Sequence, residues 1–267
     1  MHLNQTTKEV IKKIQQAEQD KTFHIHIDPA PKVSFIPIDE QYSYDRPWFK
    51  EVGYFFLRQL IVKPYRFYAN HIWFKTKVKG SSNLNSISGG AIVTCNHINK
   101  LDSLVVGHAI KKKKIWYTAM EENNFESPLG SFMRAYGMLS IPKEHSSLRK
   151  FYERVEKILE KKEWILFFPE GSEWWCYEKP RPYQIGAFHF AAKHRVPILP
   201  LFITFKKTNQ FDNQSIEKRE FILHILRPIY PRQGYSLNEN KQYLKQENER
   251  SVWECYHRFY SIDQVTK

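Results

Sequence analysis

From Gly89 onward, short runs of β-branched and aromatic residues alternate with longer segments whose apolar residues recur at helical spacing. This alternation is typical of an α/β fold, in which helices connect the strands of a largely parallel sheet. We therefore predict a mixed, mostly parallel central sheet flanked by helices. Strands are predicted at 91–95, 115–119, 138–141, 164–168, 197–205 and 221–226, and helices at 101–111, 146–161, 185–194 and 238–261.

The part of the chain before Gly89 does not show this alternation of strand and helix patterns. Apolar residues at helical spacing predict a helix over 8–21, and prolines then break 22–44 into short extended pieces. We interpret residues 1–47 as an N-terminal helical and extended element, with a boundary near Pro47. Residues 48–267 would then form the main domain, a length typical of one large domain.

The positive charge of the chain is unevenly distributed. The net charge is +13, but residues 1–50 contain seven basic and seven acidic residues and are neutral. In 51–85 there are six basic residues against one acidic residue, interleaved with aromatic side chains. We interpret 48–79 either as a helix pair that packs on the core or as an interfacial anchor that binds an anionic membrane surface.

No run of apolar residues reaches the roughly 20 that a bilayer-spanning helix needs. The N-terminus also lacks the apolar core of a signal peptide, and the three cysteines are too widely spaced for a disulfide scaffold. We therefore expect a cytoplasmic protein without a transmembrane span, peripheral on the inner face of the cell membrane.

A histidine and an aspartate follow the first predicted strand of the sheet. His97 comes after the end of that strand, and Asp102 lies at the start of the next helix. A strand-turn-helix corner can fold the two side chains into contact, so that the carboxylate orients the imidazole as a general base. The same residues also fit an ordinary turn histidine, with Asp102 as the helix N-cap.

A second polar loop follows the predicted strand at 164–168. It reads Pro169-Glu170-Gly171, and its glycine permits close approach of a ligand to the backbone. Loops at the carboxyl ends of strands form the ligand sites of such sheets. We therefore expect this loop and the His97 loop to belong to one site.

Four sequence blocks, in this order, resemble the glycerolipid acyltransferase family, which includes the lysophosphatidic acid acyltransferases. The resemblance covers roughly residues 50–235 and implies the glycerol-3-phosphate acyltransferase-like fold. The blocks are Asn96-His97-Ile98-Asn99-Lys100-Leu101-Asp102, with its His, four residues, Asp spacing; Gly137 through Lys143; Phe168-Pro169-Glu170-Gly171; and Val196-Pro197-Ile198-Leu199-Pro200.

The resemblance implies an O-acyltransferase of phospholipid biosynthesis. The acyl group would move from acyl-CoA or acyl carrier protein, as co-substrate, to the free hydroxyl of a lysophospholipid. The preferred acceptor is 1-acylglycerol-3-phosphate, which gives phosphatidic acid. His97 would be the general base and Asp102 its orienting carboxylate, with no cofactor and no metal. Cys95, two residues before His97, is either a thiol nucleophile or a buried core thiol.

The resemblance also implies a set of substrate contacts, with two departures from the family pattern. Where the family usually has Arg after Gly-Thr, this chain has Glu173, and the basic residue ending the second block is Lys143 instead of Arg. A non-phosphate lysolipid or a glycolipid is therefore the alternative acceptor. The predicted substrate-binding residues are Asn96, Gly137, Lys143, Glu170, Gly171, Ser172, Glu173, Lys179 and Arg181.

Two other readings come from different classes of protein. The run Lys111 to Lys114 and the basic composition would suit a nucleic-acid-binding protein, but no recognisable binding motif accompanies them, and we expect no nucleic-acid partner. A lipid-binding scaffold would have no reason to retain both His97 and Asp102. His24, His26 and Asp28 have a metal-like spacing on a predicted strand, without a companion ligand cluster.

Overall fold

The computed structural model describes residues 7–27, 33–211 and 217–265. It confirms the predicted α/β architecture, with helices on both faces of a seven-stranded sheet. The helices are α1 (Thr7–Gln19), α2 (Trp48–Leu57), α3 (Lys63–Tyr68), α4 (Asp102–Ala109), α5 (Pro128–Tyr136), α6 (His145–Glu160), α7 (Gly186–Lys193) and α8 (Leu237–Val265). The strands are β1 (Lys77–Lys79), β2 (Ala91–Thr94), β3 (Ile115–Met120), β4 (Met138–Ile141), β5 (Trp164–Phe167), β6 (Ile198–Phe211) and β7 (Glu217–Ile225).

The sheet is mostly parallel, as the sequence predicts. Its strand order is β1-β7-β6-β2-β5-β3-β4, and only β6 and β7 pair antiparallel. At its centre β2 lies between β5 and β6 and is parallel to both. The carboxyl ends of β2, β5, β3 and β4 therefore all lie at one edge, where loops can converge on a ligand.

The strands of the centre are buried on both faces, which explains why they read as continuous apolar runs. In β5, Trp164 and Leu166 pack into one core cluster, whereas Ile165 and Phe167 pack into the other. This division follows the alternation of side chains along a strand. Residues of α4 line the first cluster, and residues of α6, α7 and α8 line the second.

The aromatic and basic segment forms a nearly continuous helical run over residues 48–73. Two π-helical turns, Arg58–Val62 and Ala69–Trp73, join α2 to α3 and extend α3. This run fastens to the other helices through arginines, since Arg58 donates to the Ala135 carbonyl and Arg66 to the Gly107 carbonyl. Within the described ranges, no helix has the length and apolar character needed to cross a bilayer.

The N-terminal element is helical over α1, close to the predicted 8–21. The expected strand around His24 and His26 is wrong, because residues 22–27 form turns and bends, so the two histidines do not share a strand face. Asp28, the third member of that pattern, lies outside the described residues. The predicted domain boundary stays a prediction, although Pro47 does precede the first residue of α2.

Two elements of the structure were not predicted from the sequence, and a third is longer than predicted. Helix α5 lies in a stretch where no element was predicted, and β1 lies in the segment interpreted as an anchor. Strand β6 continues to Phe211, beyond the predicted end at 205, because its outer half pairs with β7 and is largely exposed. Exposed pairing of this kind leaves little apolar signal in the sequence.

Candidate active site

Two neighbouring strands bring the two predicted motifs together. Residues of β2 and β5 are in register from Ala91 opposite Trp164 to Thr94 opposite Phe167. His97 follows the carboxyl end of β2, and Glu170 follows the carboxyl end of β5. The two loops therefore lie side by side at the edge where α/β sheets bind ligands.

His97 and Asp102 are in direct contact. The imidazole Nδ1 lies 2.9 Å from Asp102 Oδ2, and the same oxygen accepts hydrogen bonds from the backbone N–H groups of Ile98 at 2.7 Å and Asn99 at 2.9 Å. Asp102 is completely buried, whereas the side chain of His97 retains 24% of its exposure. With Nδ1 engaged by the carboxylate, Nε2 is the nitrogen that can meet a substrate.

The alternative in which Asp102 only caps a helix is wrong. Leu101 occupies the N-cap position of α4, and Asp102 is the first helical residue. The Asp102 carboxylate accepts hydrogen bonds from the backbone N–H groups of Ile98 and Asn99, which precede the helix. These bonds hold the turn between His97 and Asp102 in its conformation. The carboxylate therefore fixes both the path of the backbone and the orientation of the imidazole.

The surroundings of His97 raise its pKa above the ordinary value. Burial acts in the opposite direction and is the largest influence, but the hydrogen bond and the charge of Asp102 outweigh it, and Glu173 adds a smaller increase. The positive charge of Arg181 lowers the pKa slightly. The result is an imidazole that binds a proton more readily than a histidine in water, which suits a general base.

The ring of His97 is also held by packing. It stacks on Phe168, with 4.1 Å between the ring centroids and 17° between the planes. Phe168 belongs to a quoted motif, but the sequence reading gave it no role. The signal available in the sequence was an aromatic residue directly before Pro-Glu-Gly, at the end of a predicted strand.

Glu170 and Arg181 form a buried ion pair beside the histidine. Arg181 Nη2 lies 2.7 Å from Glu170 Oε2, and the side chains are 1% and 2% exposed respectively. Glu170 Oε2 also accepts a hydrogen bond from the backbone N–H of His97 at 3.2 Å. Arg181 further donates to Ser172 Oγ at 2.9 Å. Both side chains thus hold the loops in place, while their predicted contacts with substrate stay predictions.

Asn96 and Gly171 fit tightly into the protein. The Asn96 amide exchanges two hydrogen bonds with the backbone of Ile203 on β6, at 2.7 Å and 3.0 Å. Gly171 has φ +80°, and a Cβ there would lie 2.3 Å from the side chain of Gln184. The Gln184 side chain can move aside, but any residue other than glycine would strain the backbone at this positive φ.

The remaining predicted contacts are dispersed. Lys143 follows β4 at the same edge as His97 but forms an ion pair with Glu122. Lys179 pairs with Glu18 of α1 at 2.6 Å. Gly137 does not reach this edge, because it ends α5 with φ +113° and precedes β4, at the opposite end of the strands.

Cys95 lies under the site as a core residue. It is completely buried, and burial raises the pKa of its thiol well above the ordinary value. A thiol in this state is a poor nucleophile, because the thiolate is the reactive form. The geometry therefore favours the core-thiol alternative. Among the described residues, no three His, Cys, Asp or Glu side chains are grouped so as to hold a metal ion.

Part of this α/β chain matches a known family of proteins. Residues 75–204 match the protein-family model described as Acyltransferase. Over 157 residues it is 28% identical to the 1-acyl-sn-glycerol-3-phosphate acyltransferase of Saccharomyces cerevisiae. That alignment covers 57% of this chain and 51% of the relative, so the chain spans about half the relative's length.

A solved structure has the same fold. The 1-acyl-sn-glycerophosphate (LPA) acyltransferase PlsC from Thermotoga maritima superposes with a TM-score of 0.54 and 19% sequence identity. The match covers 80% of this chain and 83% of that chain. The predicted family resemblance and the predicted fold class are therefore both confirmed.

Proposed function

We propose that this protein is a glycerolipid O-acyltransferase of phospholipid biosynthesis. It transfers a fatty acyl group from an acyl thioester, carried on CoA or acyl carrier protein, to the free hydroxyl of a lysophospholipid. The observation that carries the proposal is the contact of His97 with the buried carboxylate of Asp102 at the carboxyl edge of the sheet. The match of residues 75–204 to the Acyltransferase family model supports the same reaction class.

The mechanism follows from the two nitrogens of His97. Nε2 removes the proton from the acceptor hydroxyl as the oxygen attacks the thioester carbonyl, and Asp102 stabilises the imidazolium through Nδ1. The tetrahedral intermediate then collapses, the carbon–sulfur bond breaks, and the thiolate recovers the proton from Nε2. The products are an ester and a free thiol, and no residue of the protein is acylated.

The acceptor that we propose is 1-acylglycerol-3-phosphate, with phosphatidic acid as the product. The name of the Saccharomyces cerevisiae relative supports this choice. The charges at the site favour a second candidate, a lysolipid or glycolipid acceptor without a phosphomonoester. Lys143 is neutralised by Glu122, and Glu173 adds negative charge near His97. A bare phosphate dianion would meet fewer uncompensated cations than the sequence alone suggests.

We also propose that the protein works at an anionic membrane surface, on the inner face of the cell membrane. Twelve large apolar side chains of the helical run over residues 48–73 are exposed, with Trp48 at 77% and Leu60 at 71%. A contiguous patch of this kind marks a surface that binds a partner or a lipid. Lys75, Lys77 and Lys79 follow the run directly and would meet lipid phosphates.

The reaction is tested by thioester consumption, with acyl-CoA and acyl carrier protein donors across a panel of lysolipids. The wild type is compared with His97→Ala, and His26→Ala, which changes an exposed histidine, serves as the control. Loss of a general base lowers kcat by about 10²-fold or more. The proposal fails if His97→Ala retains wild-type activity. Equal rates with phosphate and neutral acceptors would reject the phosphate-bearing acceptor alone.

A further inference from the structure

We propose that residues 7–27, which we call the N-terminal clamp, position His97 for catalysis by holding the loop that runs from Glu170 to Arg181. The inference rests on the proposed role of His97 as general base. The clamp lies outside residues 75–204, the part of the chain that matches the Acyltransferase family.

An apolar contact seats the clamp on the loop. Trp174 is completely buried and packs in one cluster with three residues of α1. The ring of Phe23 stacks on that of Trp174, with 5.9 Å between their centroids. The α1 residues are Val10, Ile14 and Ala17, and Ile27 completes the cluster. All the buried residues of this cluster other than Trp174 belong to the clamp, while Arg181 and Tyr177 of the loop also contact the Trp174 ring.

Polar contacts fix the position of the clamp. Trp174 Nε1 donates to the Ile25 carbonyl at 3.2 Å, and Arg181 Nη1 donates to the Phe23 carbonyl at 3.3 Å. Both acceptors belong to the backbone of the clamp, so the contacts depend on its fold. The buried donors lose these partners if the clamp leaves.

The loop from Glu170 to Arg181 forms hydrogen bonds with both the backbone carbonyl and the backbone N–H of His97. The backbone N–H of Trp174 donates to the His97 carbonyl at 3.0 Å, and the Glu170 carboxylate accepts from the backbone N–H of His97 at 3.2 Å. Arg181, which contacts the clamp, also holds Glu170. A short path of direct contacts therefore runs from the clamp to the main chain of the proposed base.

Displacement of the clamp would weaken the hydrogen bonds that hold the His97 backbone, without changing any contact with the substrate. The reacting oxygen must approach Nε2 within hydrogen-bond reach, and a misplacement of about 1 Å by a distant change can cost on the order of 10²-fold in rate. We therefore expect the clamp to influence kcat more than KM. Asp102 remains in contact with His97, because its other partners are backbone groups of the same turn.

The test uses Ala17→Arg in the 267-residue chain, with Gln15→Arg as the matched control. Ala17 is 2% exposed at the contact with Trp174, whereas Gln15 lies on the exposed face of α1. We expect kcat to fall at least tenfold in Ala17→Arg with KM for the thioester changed less than threefold. Gln15→Arg should match the wild type in both constants.

A second readout separates positioning from general loss of structure. Asp102, Glu173 and Arg181 act on the charge of His97, and Glu173 lies next to Trp174 on the clamped loop. If the loop withdraws, the contributions of Glu173, Arg181 and burial to the pKa of His97 all change, so the acid limb of kcat/KM moves away from its wild-type position. A lower amount of folded enzyme would reduce the rate without moving that limb.

If Ala17→Arg does not fold, Ile14→Ala tests the clamp instead, with Gln15→Ala as its control. Ile14→Ala removes apolar contacts with Trp174 without introducing a charge. A kcat at least threefold below that of its control supports the clamp. Folded variants with the kcat and acid limb of their controls overturn the clamp while leaving the proposed reaction intact. An active His97→Ala enzyme would instead overturn the proposed reaction, so the two failures are distinguishable.

Discussion

Arg181 and Glu170 form an ion pair of 2.7 Å that is almost completely shielded from solvent. The same carboxylate holds the backbone N–H of His97, and the same guanidinium holds the side chain of Ser172. A buried charge is tolerated only when its partners are in place. This pair therefore links the fold of the loop after β5 to the placement of the proposed catalytic base.

Arg181→Leu is expected to destabilise the protein strongly. It leaves the Glu170 carboxylate buried and unpaired, which costs about 3–5 kcal/mol in free energy of unfolding. Urea denaturation measures the change. Lys179→Leu is the control, because the exposed pair with Glu18 contributes roughly 0–1 kcal/mol. Equal losses in the two variants would contradict the structural role of Arg181.

Asp102→Asn is expected to lower kcat by on the order of 10²-fold or more, since the imidazolium loses its counter-charge. The pH profile should change as well. His97 must be neutral to accept a proton, and Asp102 raises its pKa. Without Asp102, burial dominates and the pKa falls, so the acid limb of kcat/KM moves to lower pH. Asp20→Asn, an exposed carboxylate, should show neither effect, and an unmoved limb in Asp102→Asn would count against the pairing.

Glu173→Arg tests which acceptor the site prefers. If 1-acylglycerol-3-phosphate binds here, the new cation gains a charge-assisted hydrogen bond of about 1.5–3 kcal/mol. We then expect KM for this acceptor to fall about tenfold, with KM for a neutral lysolipid unchanged. Glu153→Arg on α6 makes the same charge change on an exposed helix surface as the control. No gain for the phosphate-bearing acceptor would favour the alternative acceptor.

The double variant Trp48→Ala, Leu60→Ala is expected to weaken binding to anionic liposomes at least tenfold. Each large apolar side chain that enters the lipid boundary contributes about 1.5–3 kcal/mol when fully buried. Sedimentation with vesicles measures the partition. The control is Leu237→Ala, Trp253→Ala on α8, which carries exposed residues of the same types and lines the other core cluster. Equal retention by both double variants would refute the helical run as the anchor.

Charge reversal of Lys75, Lys77 and Lys79 should weaken the same binding and make it less sensitive to salt. Electrostatic attraction to an anionic surface contributes about 1 kcal/mol per cation and is screened at high ionic strength. Sedimentation at two salt concentrations measures both effects. Charge reversal of Lys111, Lys112 and Lys113 is the matched control, because this run precedes β3 at the edge opposite His97. Unchanged sedimentation of the first variant would refute the contribution of these lysines.

Much of the fold was readable from the sequence, because its strands and helices carry strong local patterns. In the helix predicted at 146–161, helical spacing places Phe151, Val155, Ile158 and Leu159 on one face, and all four are buried in α6. Strand β4 begins and ends where the sequence indicated. In the helix predicted at 238–261, helical spacing places Leu244, Val252 and Trp253 on the inner face; Leu244 and Val252 are buried, but Trp253 is 39% exposed.

The core of the candidate site was equally readable. The spacing of His97 and Asp102, together with the Pro-Glu-Gly loop, predicted a base with its orienting carboxylate beside a second loop. The strand order then makes the two loops neighbours, since β2 and β5 pair although the partner residues Ala91 and Trp164 lie 73 positions apart in the chain. Sequence spacing cannot convey that pairing, because it depends on the arrangement of the whole sheet.

The sequence by itself determined the α/β class, the resemblance to the Acyltransferase family and the candidate pair His97 and Asp102, because each depends on short local patterns in the chain. Only the tertiary structure decided which charges remain available to a ligand. Arg181, Lys143 and Lys179 all read as free cations in the sequence, yet each lies against a carboxylate. Glu170 lies 11 positions from Arg181 in the chain, and Glu122 lies 21 positions from Lys143. Glu18, the partner of Lys179, belongs to the distant helix α1. Electrostatic pairing depends on distance in space, so the fold had to bring these residues together before their charges could be assigned.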